Sequence, residues 1–174
     1  MTAQLPLFDS KTTAWWKAKI GGAEFKVMRL QESPVECPLL DQPQQCVDYI
    51  RPRLENSIRY SPDVENLGAL YLNVRKRLIA WDIISMGTLD TLLVHPRDVF
   101  AKAILMNAAA LVLFHNHPSG DPIPSEADVK VTRDMIRAGQ LMKIELLDHI
   151  ILGRATPDRL IDFCSLRQLG YFYT

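Results

Sequence analysis

Seven apolar residues run without interruption from Ala108 to Phe114 and end on His115-Asn116-His117-Pro118-Ser119-Gly120-Asp121. The run is far shorter than the roughly 18 residues of a membrane-spanning helix and fits one short strand. Successive side chains of a strand point to opposite faces, so apolar residues at every position from Ala109 to Phe114 require cover on both sides. Such a strand belongs inside a layered α/β domain, and this one carries the chain straight into a polar loop.

The surrounding pattern agrees with that core. Leu67 to Val74 and Leu78 to Ser85 are apolar runs separated by Arg75-Lys76-Arg77, which predicts a hairpin. Pro96 opens a predicted helix that ends near Asn107, with Asp98 in its first turn. Ser125 and Asp128 stand in capping-box spacing ahead of a helix carrying Val129, Met135, Ile136 and Leu141, and a strand from Ile144 to Leu152 follows. Upstream, Val47, Ile50 and Leu54 predict a helix over 44–54 that bends at Pro52. Trp15 to Leu30 reads as a hairpin around Gly21-Gly22, Met1 to about Thr13 as a tail, Gln31 to Gln42 as a connecting loop, and Thr156 to Thr174 as short mixed structure. The expected organisation is an N-terminal tail and small β element over 1–42 and a larger α/β domain over 43–174.

With 174 residues, 20 basic against 20 acidic side chains and 48% hydrophobic residues, the composition is that of a soluble globular chain. Zero net charge argues against a protein held to nucleic acid or membrane by bulk charge. Cys37, Cys46 and Cys164 form an odd set with no C-x-x-C pair, and Met1 to Pro6 carries no secretory pattern, so reduced thiols and the cytoplasm are expected.

The chemistry is concentrated after the buried strand. His115 and His117 bracket one residue, so in an extended chain both imidazoles reach the same side. Asp128 in the first turn of the next helix offers a third donor. Two histidines, one carboxylate and an open fourth position are the donor set of a catalytic zinc site, whereas a structural site is closed by a fourth residue, commonly cysteine. Taken alone, paired histidines are common surface groups and Ser-x-x-Asp is only a helix cap. Taken together they make the string H-x-H-P-x(6)-S-x-x-D.

That string resembles the JAMM (JAB/MPN+) metalloenzymes, and His115 to Pro122 is similar to their bacterial RadC branch. Val94 to Phe100, Asn107 to Ala110 and Leu147 to Ile151 also resemble RadC blocks, over a span from about Pro43 to Gly170. The resemblance implies a JAB/MPN-like (cytidine deaminase-like) mixed sheet flanked by helices, with zinc bound by His115, His117 and Asp128. It implies a metallopeptidase or isopeptidase, in a family associated with DNA repair or mobile elements. It further implies an upstream glutamate as general acid/base, in a context like E-x-x-G-x-L. Glu65 in Glu65-Asn66-Leu67-Gly68-Ala69-Leu70 fits, Gly68 allows close packing at the strand, and Asp82 is the alternative. Ser125 caps the helix, and the resemblance gives it a second task beside an oxyanion. Asp148 and His149 lie on the following strand, open between holding a ligand imidazole and making a structural hydrogen bond. His95, before Pro96, is assigned to the turn. The first forty residues do not look like the helix-hairpin-helix region of full-length RadC proteins.

Gln4-Leu5-Pro6-Leu7-Phe8 is an apolar cluster within the tail. It resembles the Q-L-x-L-F peptide that docks on the bacterial sliding clamp, here through Gln4, Leu5, Leu7 and Phe8, with Leu7 and Phe8 filling an apolar pocket and Gln4 making directional hydrogen bonds. The same side chains can instead fold back on their own domain. Three functions follow for test: a zinc hydrolase acting on a peptide or isopeptide bond, a metal-dependent enzyme acting on DNA, and a non-catalytic interaction module.

Overall fold

The computed structural model describes residues 14–20, 23–28, 37–87 and 94–173. The chain divides into two units, residues 1–36 and 37–174. In the first, β1 (Ala14–Ile20) pairs antiparallel with β2 (Ala23–Met28), closing at Ile20 opposite Ala23, as the Gly21-Gly22 spacing predicts. Gln4 to Phe8 lies outside the described residues.

The second unit contains α1 (Pro43–Glu55), β3 (Glu65–Leu72), β4 (Leu78–Gly87), α2 (Pro96–Leu105), β5 (Ala110–Asn116), α3 (Glu126–Met142), β6 (Glu145–Leu152) and β7 (Phe163–Ser165). One mixed sheet runs in the order β4-β3-β5-β6-β7, antiparallel throughout except for the β5–β6 pair, which is parallel and bridged by α3. The sheet is therefore the flanked α/β arrangement that the apolar run requires, with β5 at its centre.

Alternation along β5 assigns its two faces. Ala110, Val112 and Phe114 pack with Val47, Ile50 and Leu54 of α1, while Leu111 and Leu113 pack with Val99, Phe100 and Ala103 of α2 and Met135 of α3. Every residue of β5 is buried. Each large aliphatic or aromatic side chain fully buried in this way contributes about 1.5–3 kcal/mol, so the strand that leads to the polar loop is among the most firmly held parts of the sheet.

The element ends depart from the sequence pattern for local reasons. β3 stops at Leu72 because the Asn73 side-chain oxygen accepts from the N–H groups of Arg75 (2.8 Å) and Arg77 (3.1 Å), turning the chain and leaving Val74 exposed. At its other end β3 begins earlier, with Glu65 opposite Gly87, so this acid is the first residue of a strand. Pro52 falls in the last turn of α1. Helix α2 closes at Leu105, and Asn107 turns the chain at φ +52° into β5. The C-terminal segment adds β7, which the sequence pattern does not announce. No helix among the described residues is long and apolar enough to cross a membrane.

Gly68 is required by packing. A Cβ there would lie 2.2 Å from Cζ of Phe114 and 2.6 Å from the carbonyl oxygen of Asp82. We therefore expect Gly68→Ala to lower stability by about 1–3 kcal/mol in urea denaturation. Phe114→Leu in the same chain should not restore it, since the Asp82 carbonyl is backbone; an unchanged midpoint for Gly68→Ala would contradict the close approach.

Candidate metal centre

Strand β5 runs two residues past its apolar stretch, to Asn116, and the alternation that sends Leu111 and Leu113 toward α3 sends His115 there as well. His115 is buried against Asp128, in the first turn of α3, with Nε2 3.1 Å from Oδ1. His117, one row further, brings its Nε2 to 3.4 Å from Asp128 Oδ2 and 3.0 Å from His115 Nε2. The three residues thus offer one donor atom each within 4.8 Å of one another.

The loop is fixed from both sides. His117 donates its backbone N–H to the Leu152 carbonyl (3.0 Å), and its Nδ1 stands 2.6 Å from the Asp121 carbonyl, which can only accept. Gly120 sits at φ +78°, a conformation that favours glycine, and its carbonyl accepts from the Arg154 N–H (2.8 Å) and from Arg159 Nη2 (2.5 Å). The turn after His117 is thereby tied to the end of β6 and the chain beyond it.

Asp128 is held by its own helix cap. Ser125 Oγ accepts from the Asp128 N–H (3.2 Å), and Oδ2 of Asp128 accepts from the Ser125 N–H and hydroxyl, both at 2.7 Å. The helix N-terminus adds a favourable field for the carboxylate. Oδ1 is different: it is buried with no hydrogen-bond donor among the described residues. A buried carboxylate oxygen facing the His115 imidazole without a donor is costly, and a cation between the carboxylate and the two imidazole nitrogens removes that cost. The residues therefore fit a metal ion, and their two nitrogens and one carboxylate suit zinc.

Electrostatics agree. Burial alone would raise the Asp128 carboxyl, but the His115 and His117 imidazoles beside it and the Ser125 hydroxyl hold it far below the ordinary carboxylate range. Burial lowers His115, against the pull of Asp128. In His117 burial acts the same way but loses to Asp128, the Asp121 carbonyl and Glu65, so its value is raised. The site favours positive charge, which a proton or a metal can supply.

Glu65 is brought to this cluster by register. Leu67 of β3 opposes His115 of β5, and continuing the antiparallel pairing places Glu65 in the row of His117, whose charge it stabilises. Two buried asparagines lock the approach. Asn116 Oδ1 accepts from the Asn66 N–H and Nδ2, both at 2.9 Å, while Asn116 Nδ2 donates to the Val64 carbonyl (3.0 Å). Asp82 is placed elsewhere: on β4 its carboxylate bridges Arg59 and Lys102.

The alternatives at Asp148 and His149 separate through a register shift. Leu111 opposes Leu146 but Val112 opposes Asp148, so Leu147 is an extra residue in β6. The shift turns His149 to the face of His115, where its Nε2 lies 2.9 Å from His115 Nδ1. Asp148 faces the other way and accepts from the Ser165 hydroxyl (2.6 Å) and the Arg167 N–H (3.1 Å). His95 sits at the N-cap of α2. Sequence reasoning missed Thr132 and the Asn66–Asn116 pair. Thr132, at i+4 from Asp128, shares its helical face, and Asn116 is the residue that alternation turns away from the two histidines.

Comparison with known proteins agrees with this architecture. A family model described as the RadC-like JAB domain matches residues 40–171. A UPF0758 protein of Syntrophomonas wolfei is 40% identical over 132 residues, 76% of this chain and 53% of the relative. A UPF0758 protein of Desulforudis audaxviator is 50% identical over 110 residues, 63% and 45% of the two chains. One from Shouchella clausii is 35% identical over 144 residues, 83% and 58%. The chain spans about half the length of the curated relatives it matches. With the family model covering most of the chain and the mixed sheet that presents the His-His-Asp group in place, this chain belongs to the RadC-like JAB domain family.

Proposed function

We propose that the domain is a zinc-dependent hydrolase of the JAMM type that cuts a peptide or isopeptide bond. The observation that carries this reading is the convergence of His115, His117 and the donor-less Oδ1 of Asp128 beside a carboxylate, Glu65, that is not needed as a ligand. Bound by the two histidines and Asp128, zinc would supply Lewis acidity and a water ionisable near neutral pH. Glu65 then takes the proton of the attacking water and returns it to the leaving amine, the task of a general base and acid placed next to the reacting atoms. The Asn66–Asn116 clamp holds the start of β3 in place for that transfer. Ser125 keeps Asp128 in position through its N–H, and its hydroxyl, which donates to Asp128 Oδ2, would turn from that oxygen to donate to the oxyanion of a tetrahedral intermediate.

Two results test the reading. His115→Ala and Asp128→Ala should each take zinc content from about one ion per chain to near zero while the domain stays folded, because an open three-donor site loses chelation with any one arm. Elemental analysis showing undiminished zinc would refute the ligand assignment. Glu65→Gln should retain the zinc and lose at least about 100-fold in peptide or isopeptide hydrolysis, since an amide cannot accept the proton. Full activity in that variant, or cleavage of DNA and not of peptide by the zinc-loaded protein, would contradict the proposal.

A further inference from the structure

Behind His115 lies a chain of buried polar groups that takes no part in the three-donor set. Thr132 and His149 are both buried, at 0% and 1% exposure. Thr132 Oγ1 stands 2.6 Å from the Asp128 main-chain carbonyl and 2.6 Å from His149 Nδ1, and His149 Nε2 stands 2.9 Å from His115 Nδ1. We propose that these contacts form a one-way hydrogen-bond chain that leaves His115 Nε2 bare, making Thr132 and His149 positioning residues of the metal centre. The proposal rests on reading His115 as a ligand.

The direction follows from counting protons. A carbonyl oxygen has none to give, so the contact between Asp128 O and Thr132 Oγ1 needs the hydroxyl proton, and Thr132 has only one. With that proton spent on the carbonyl, the contact between Thr132 Oγ1 and His149 needs the proton on His149 Nδ1. With the proton of a neutral His149 on Nδ1, its Nε2 carries a lone pair and accepts from His115 Nδ1. With its Nδ1 proton spent on that contact, a neutral His115 has its lone pair on Nε2, the nitrogen that faces Asp128 and His117. The opposite direction would leave two oxygens 2.6 Å apart with no proton between them and would put a proton on the nitrogen facing the metal position.

The chain begins and ends on one residue. The Asp128 carbonyl sets its polarity, and the Asp128 carboxylate receives its result. The extra residue Leu147 in β6 is what places an imidazole, rather than the Asp148 carboxylate, behind His115.

The test has two independent arms. In unmutated protein stripped of metal and labelled with ¹⁵N at histidine, long-range ¹⁵N–¹H correlation should report His115 and His149 both as the Nδ1–H tautomer; His115 carrying its proton on Nε2 would overturn the proposal. In competition with a chromophoric chelator, Thr132→Val should weaken zinc binding by roughly 10- to 100-fold, and Thr132→Ser, which keeps the hydroxyl, should bind close to the unmutated protein. Equal affinity in the valine variant, or a serine variant as weak as valine, would also overturn it. The tautomer arm needs no variant and no metal. Should the unmutated protein bind no zinc, the ligand assignment fails while the tautomers still decide the direction of the chain.

Discussion

The site turns on a buried carboxylate that is only half satisfied. One oxygen of Asp128 accepts from the Ser125 N–H and hydroxyl; the other faces the His115 imidazole with no donor. A carboxylate left in that state costs several kcal/mol unless a cation joins it. The protein tolerates it because the groups around it are held by unrelated forces: the apolar packing of β5, the cap of α3, and the backbone ties between the loop after His117 and the end of β6. Stability built elsewhere maintains a locally unfavourable arrangement, the expected condition of a functional site.

Strand register does most of the placing. His115 faces α3 because it continues the parity of Leu111 and Leu113, and Glu65 joins it because Leu67 opposes His115 across the β3–β5 pair. His149 joins them only because β6 holds one extra residue, which reverses its parity relative to Leu146. A slip of one residue in either pairing would turn the corresponding side chain to the opposite face.

Those facts separate what the sequence declares from what it conceals. The buried strand, the hairpin ahead of it, the capped helix and the three metal-binding candidates are legible because each rests on local periodicity or on spacing within about fifteen residues. Glu65 is legible only through the family resemblance; nothing local says that a residue fifty positions upstream pairs beside His117. The Leu147 irregularity is invisible to pattern reading, which left Asp148 and His149 undivided. β7 is too short to show a period, and Thr132 reads as an ordinary helical threonine until the helix is set against β6. Long-range register, rather than propensity, accounts for these omissions.

The central claim, that His115, His117 and Asp128 hold one zinc ion, is tested most directly by anomalous diffraction at the zinc edge from crystals of the zinc-loaded protein. The account predicts a single strong peak between His115 Nε2, His117 Nε2 and the Asp128 carboxylate, at about 2.0–2.2 Å from each donor. A map with no peak there, or with zinc held only by other residues, would contradict it.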